Sequence, residues 1–147
     1  MIANADRAAL RQAAREAAAR AHAPYSRFRV GAAVLTDRGT VHAGCNVENA
    51  SYGLTICAER NAIFRAVCQA DEGPLRIRAV LVYTPTEAPT APCGACRQVL
   101  NEFGPQALVI CECDGPDAIE TSVDRLLPSA FGPHNLDASS ASPGKGP

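Results

Sequence analysis

Tryptophan is absent from this chain of 147 residues, methionine occurs once, and aromatic residues make up 5 %. With so few rings, the core has to be built mostly from Val, Ile, Leu and Ala. There is no long basic run, and the formal net charge is −1. That excludes a binder of the nucleic-acid phosphate backbone and a helix lying on a membrane surface. No apolar run approaches the roughly 20 residues needed to span a bilayer. The first residues carry Asp6, Arg7 and Arg11 and no apolar stretch, so no secretory signal is expected and the predicted compartment is the cytoplasm. No internal repeat is visible.

What is present is a hydrophobic fraction of 47 %, enough for a packed globule, in a length that suits one domain. The expected catalytic domain spans 1–137. Residues 138–147 are Ser, Gly and Pro-rich and are expected to form a disordered tail. Seven cysteines sit at 45, 57, 68, 93, 96, 111 and 113. An odd count without an export signal argues against a disulfide framework. Each cysteine is then a small buried hydrophobe or a metal ligand. Cys45, Cys68 and Cys111 fall in apolar patterns and read as buried; Cys113, just after a strand, is left open.

Residues 4–21 read as a helix with Leu10, Ala13, Ala14, Ala17 and Ala21 on one face, ended by Pro24. Strands follow at 28–36 and 40–46, joined by a turn at Asp37-Arg38-Gly39. After a polar loop at 47–55, a helix is predicted from near Cys57 to about Ala70, with Ile56, Ile63, Phe64 and Val67 buried. A strand at 77–83 leads to a Pro-rich loop, and Pro92 is placed to open the next helix, which stops at Gly104-Pro105. A strand at 107–112, a short strand at 119–121 and a helical turn at 123–127 complete the order α-β-β-α-β-α-β-β-α. Helix-linked apolar strands predict a partly parallel sheet covered on both faces. Its ligand site is expected at the carboxyl ends of those strands, where the following helices begin.

Both such helix starts carry thiols. Cys57-Ala58-Glu59-Arg60 supplies one thiol and a carboxylate, and Pro92-Cys93-Gly94-Ala95-Cys96 supplies two thiols one turn apart. Cys57, Cys93 and Cys96 make three soft ligands for Zn²⁺ with one position left for water, the pattern of a catalytic centre rather than a structural one. Glu59 stands two residues from a ligand, where a carboxylate takes and returns the protons of hydrolysis. A first-turn Glu also simply complements the helix dipole, but the adjacent ligand favours the acid/base role. Arg60 is spaced to hydrogen-bond the thiolates and draw off their charge; spacing alone equally allows a solvated arginine.

These segments resemble the signatures of the small homotetrameric cytidine deaminases, a zinc-dependent family. The likeness runs through Tyr25-Ser26 with Phe28-Arg29-Val30-Gly31-Ala32-Ala33, the stretch Gly44 to Arg60, Pro92 to Leu100, and Leu126-Leu127-Pro128 with Phe131-Gly132-Pro133. It covers about residues 20 to 136, with no departure at a motif position. The resemblance implies a three-layer α/β/α cytidine deaminase-like fold with a five-stranded mixed sheet whose last strand is antiparallel to its neighbour. It implies hydrolytic deamination of cytidine and 2′-deoxycytidine to uridine and 2′-deoxyuridine, with ammonia released. It places Asn46 and Glu48 on the ribose 3′-hydroxyl, Phe28 against the pyrimidine and the Ala58 N–H on the base carbonyl. It also implies a homotetramer in which Ala50, Tyr52 and Phe131 complete sites between subunits. Two other readings were weighed. A deaminase of another aminopyrimidine compound is disfavoured by the Asn46/Glu48 pair. A structural zinc module, with Cys45 as fourth ligand, leaves Glu59 without a purpose.

Overall fold

The computed structural model describes residues 2–70 and 73–136. The expected tail at 138–147 lies outside them. Helix α1 (Asn4–Ala19) is followed by strands β1 (Gly31–Thr36) and β2 (Val41–Cys45). Helix α2 (Ala58–Cys68), strand β3 (Ile77–Tyr83), helix α3 (Gly94–Phe103), strands β4 (Leu108–Glu112) and β5 (Ala118–Ser122) and the turn of helix α4 (Val123–Leu126) complete the order expected. The five strands lie in one sheet in the order β2-β1-β3-β4-β5. Only β3 and β4 run parallel; β1 is antiparallel to both its neighbours, and β5 is antiparallel to β4.

Two cores follow from strand alternation, which sends successive side chains to opposite faces. On one face, Leu10, Ala14 and Ala18 of α1 meet Ala33, Leu35, Leu81 and Ile110. On the other, Ala58, Ala62, Ile63 and Ala66 of α2 and Leu100 of α3 cover Ala32, Val34, Val80, Val82 and Val109. The layering is therefore α/β/α. Arg7, Arg11 and Arg15 recur at four-residue spacing along α1. Arg7 pairs with Glu120 at 2.7 Å, and Arg11 reaches both oxygens of Glu112 at 2.6 Å. The Arg15 guanidinium lies 4.2 Å from the centre of the Tyr83 ring. These contacts fix the helix across β3, β4 and β5, an arrangement the helix-forming composition of residues 4–21 does not reveal.

Four expectations are corrected. The strand expected from Phe28 begins at Gly31, because the side chain of Asn46 replaces the ladder there. Its Oδ1 accepts the Val30 N–H at 2.8 Å and its Nδ2 donates to the Phe28 carbonyl at 2.9 Å. Pro92 does not open α3; Cys93 is the N-cap and Gly94 the first helical residue. Phe64 and Val67 are not buried: they are 45 % and 44 % exposed, and the sheet-facing stripe of α2 is the smaller set Ala58, Ala62, Ile63 and Ala66. Cys68, next to them, is exposed too, whereas Cys111 and Cys113 are buried and Cys45 half-buried.

The reason α2 uses small residues is Gly44. A Cβ at that position would stand 2.5 Å from the Ala62 nitrogen and 2.9 Å from the Ala58 carbonyl oxygen, both backbone atoms that cannot swing aside. Helix and strand therefore approach at a distance only glycine permits. Gly44→Ala is expected to cost about 3 kcal/mol, a fall in Tm of roughly 6–12 °C for a domain of this size. Because α2 carries Glu59 and follows directly on Cys57, turnover is expected to fall with stability. Thermal denaturation together with a turnover assay checks this; an unchanged Tm would mean that the helix is not wedged against β2.

Candidate active site

Cys57 and Cys93 are the N-cap residues of α2 and α3, both with extended backbone and neither capping its helix with its side chain. Their thiols are free to turn toward each other, at the ends where the helix dipoles favour negative charge. Cys96 sits one turn into α3 and is fully buried. The three Sγ atoms lie within 4.8 Å of one another, and Cys57 and Cys93 are 3.9 Å apart. A tetrahedral zinc with bonds of about 2.3 Å has sulfur–sulfur edges of about 3.8 Å. The triad therefore fits zinc, and three thiolates leave the fourth position open. Cys45 is not in this cluster, so the alternative of a closed four-cysteine site is not supported.

Charge at the triad is arranged around Arg60. Its Nη2 lies 3.5 Å from Cys57 Sγ and 3.4 Å from the Thr55 carbonyl. Its Nε is buried without a hydrogen-bond partner in the described residues. Hydrogen bonding with Cys96, then Arg60 and Cys93, holds the Cys57 thiol well below its ordinary value, at about 5. The Cys96 thiol moves upward, because its hydrogen bond to Cys57 and its burial favour the protonated form. Arg60 is thus half-buried, with its guanidinium at the Cys57 thiol.

Glu59 is only 4 % exposed although it lies in the first turn of α2. Burial lifts its carboxyl above the ordinary carboxylate range; its own backbone N–H and the Cys96 thiol pull in the opposite direction. A buried carboxyl that holds a proton more readily than a solvated one suits a group that must both accept and deliver protons. Cys57 stands outside the helix as its N-cap, and both side chains line one cavity.

That cavity measures about 230 Å³ and is lined by Phe28, Val30, Asn46, Glu48, Cys57, Glu59, Val82, Thr90 and Cys93 among others. A second concavity of about 350 Å³ continues from it along Tyr25, Ser26, Glu48, Tyr52 and Thr55. Phe28, Asn46 and Glu48 are thus brought to the thiols and Glu59. Ala58 lies buried at the start of α2. Tyr52 lines the second concavity, with its ring centre 5.9 Å from that of Tyr25. Ala50 and Phe131 line neither cavity. Phe131 is 59 % exposed, and its carbonyl accepts a hydrogen bond from Gln98 of α3 at 2.8 Å. A larger concavity, about 440 Å³, opens at the other end of the sheet around Arg76, Arg78 and Gly104, away from the thiols.

Several supporting residues carry no signal in the sequence pattern. Asn61 Nδ2 donates to the Cys45 carbonyl at 2.9 Å, tying α2 to β2. Arg97 donates to the carbonyls of Pro92 at 2.7 Å and Leu126 at 3.0 Å, fixing the loop before Cys93 against the C-terminal segment. Thr90 and Ala91 line the cavity from the Pro-rich loop. Arg97 follows a ligand and invites attention for that reason; the others are recognisable only once the elements are folded.

An open thiolate triad beside a buried carboxylate, at the end of a mixed sheet, defines a zinc-dependent hydrolytic enzyme rather than a structural zinc module. Residues 4–112 match the family model described as the cytidine and deoxycytidylate deaminase zinc-binding region. The chain is 45 % identical over 124 residues to the cytidine deaminase of Sporosarcina psychrophila, covering 83 % of this chain and 88 % of that one. It is 48 % identical over 127 residues to the cytidine deaminase of Mycobacterium tuberculosis, covering 86 % and 90 % respectively. The crystal structure of cytidine deaminase from Burkholderia pseudomallei superposes with a TM-score of 0.78 at 50 % identity, covering 84 % of this chain and 98 % of that chain. The chain belongs to the cytidine deaminase family.

Proposed function

We propose that this protein catalyses the hydrolytic deamination of cytidine and 2′-deoxycytidine, in the salvage of pyrimidine nucleosides. The observation that carries the reading is one cavity lined by Cys57, Cys93 and the buried Glu59 together with Phe28, Asn46 and Glu48, with the Cys96 thiol within 4.8 Å of the other two. Cys57, Cys93 and Cys96 would hold zinc, whose Lewis acidity would make water acidic enough to lose a proton near neutral pH. Glu59 receives that proton and delivers it to N3 of the base, leaving C4 electrophilic. Water oxygen bonds to C4 and keeps one hydrogen; Glu59 moves that remaining proton to the amino group, and the C4–N bond breaks as the C4 carbonyl forms and ammonia leaves. Arg60 offsets the negative charge that three thiolates place at the centre. Phe28 stacks on the base, the Ala58 N–H meets its carbonyl, and Asn46 and Glu48 hold the 3′-hydroxyl.

The polar balance of the cavity supports a nucleoside rather than a nucleotide. Glu48 accepts hydrogen bonds from Ser26 and two backbone N–H groups, which hold its carboxyl below the ordinary range and therefore charged at neutral pH. A carboxylate at the sugar end repels a phosphate. Residues 1–137 form the catalytic unit in this reading, acting in the cytoplasm. Among the described residues no helix is long and apolar enough to cross a membrane. A homotetramer is supported by the exposed apolar side chains Phe64, Val67, Tyr52, Leu54 and Phe131, which a single chain leaves uncovered. Ala50, Tyr52 and Phe131 would then contribute to sites on neighbouring subunits.

The test is cytidine-to-uridine conversion by purified protein, with zinc counted in the same sample. Turnover with about one zinc per chain is the expected result. Zinc without turnover would leave the metal centre standing and overturn the substrate.

A further inference from the structure

The turn between α1 and β1 makes a set of contacts that the roles of Glu48 and Phe28 leave unexplained. Ser26 Oγ donates to Glu48 Oε1 and accepts the Phe28 N–H at 3.0 Å. The other carboxylate oxygen, Oε2, accepts the N–H groups of Tyr25 at 2.9 Å and Ser26 at 3.2 Å. Between Ser26 and Phe28, Arg27 adopts a left-handed φ of 59°. That conformation is costly for a residue with a Cβ and persists only where the surroundings over-determine it. Here the Arg27 N–H is held by the Ala23 carbonyl at 3.1 Å.

The backbone under Glu48 is fixed separately. Its N–H donates to the His22 carbonyl at 2.8 Å, and Val47 exchanges hydrogen bonds with Ile56 at 2.9 and 3.0 Å. The backbone of Glu48 is thus set by His22 and by the strand-like bridge beside it, and the direction of its carboxylate by the turn. The two N–H groups on Oε2 anchor one oxygen. Among the described residues only the Ser26 hydroxyl bears on Oε1, which keeps acceptor capacity for a further donor. The same hydroxyl also accepts the amide of the residue whose ring faces the cavity.

We propose that Ser26 is a positioning residue for the nucleoside: its hydroxyl couples the carboxylate that meets the sugar to the backbone carrying the ring that meets the base. The inference rests on the reading of Glu48 as the partner of the 3′-hydroxyl and of Phe28 as the partner of the pyrimidine. Ser26 lines the same cavity as Cys57 and Glu59, and its hydroxyl is engaged with Glu48 and the Phe28 amide. It acts by presenting Oε1 in one direction and by holding the turn that seats Phe28. Pre-setting a charged acceptor in this way removes a cost otherwise met on binding. The effect therefore falls on KM and on discrimination at the sugar, with little change in the chemical step.

The experiment compares cytidine with 3′-deoxycytidine, which lacks the group that Glu48 would hold. In zinc-loaded Ser26→Ala, kcat/KM for cytidine is expected to fall roughly tenfold, mainly through KM, a size typical of losing one charge-assisted hydrogen bond. For 3′-deoxycytidine it is expected to change less than about threefold, so the preference for cytidine shrinks. Adding Ser26→Ala to Glu48→Gln is expected to cost little more than Glu48→Gln alone, since both act through one contact. Ser26→Thr, which keeps the hydroxyl, is expected to keep the preference. Equal losses on both substrates, or a preference untouched in Ser26→Ala, would overturn the inference while leaving deamination by the wild type intact. Loss of the preference in Ser26→Thr despite normal zinc and Tm would overturn it as well. A wild type that converts neither nucleoside would sink the functional reading, and this inference with it.

Discussion

Glu59→Gln is expected to bind zinc at about one per chain and to lose roughly 10³–10⁴-fold in kcat, with KM for cytidine changed only a few-fold. The amide has nearly the shape of the carboxyl but cannot carry a proton between the attacking water, N3 and the leaving amine. The reading assigns all three transfers to this one group, so removing it affects each of them. Glu59 is not among the three thiols that form the metal cluster, which is why zinc is expected to stay. Its 4 % exposure matters to the magnitude. Bulk water has little access to the place where the carboxyl works, so solvent replaces it poorly. The measurement is single-turnover conversion with zinc determined on the same preparation. Substantial turnover in the zinc-loaded variant would mean that another group carries the protons.

The chemistry was more legible in the sequence than the packing. That Cys57, Glu59, Cys93 and Cys96 come together is readable because they occupy short segments at helix starts, where spacing in the chain translates directly into spacing in the fold. The element order was readable for a similar reason: β3 matches its apolar run residue for residue, from Ile77 to Tyr83. Helix α2 shows where pattern reasoning stops. Size and periodicity nominate Phe64 and Val67 for the core, but the sheet takes Ala58, Ala62, Ile63 and Ala66 because Gly44 draws the helix close. The larger side chains are left on the outer face, a consequence of a contact between residues distant in the chain. Cys68 was misread in the same way. The start of β1 was misplaced because a side chain, Asn46, supplies hydrogen bonds that backbone pairing would otherwise make. The ion pairs of Arg7 and Arg11 depend on where β4 and β5 fall in the sheet, which local sequence does not state.

Cys96→Ser is expected to reduce bound zinc from about one per chain to a small fraction, and to remove turnover with it. Serine offers a neutral hydroxyl, a poor partner for zinc beside two soft thiolates. Cys96 is also the fully buried member of the triad, so solvent does not readily supply a substitute ligand from that side. Within the triad Cys57 is the acidic thiol and Cys96 the reluctant one, each because of the other. Zinc uptake must therefore displace a proton from Cys96, and metal binding by the wild type is expected to weaken as pH falls. Since zinc binds the folded arrangement of two helix starts and not the unfolded chain, its loss also removes stability. The Tm of Cys96→Ser is expected to match that of chelator-treated wild type. Cys68→Ser serves as the control: that thiol is exposed at the end of α2, outside the triad, and its replacement is expected to leave zinc, Tm and turnover unchanged. Cys111 lies outside the triad, and burial, followed by the charge of Glu59, pushes its thiol up to about 12. Full zinc and full turnover in Cys96→Ser would show that the triad is not the metal centre, and the role of Glu59 would have to be argued anew.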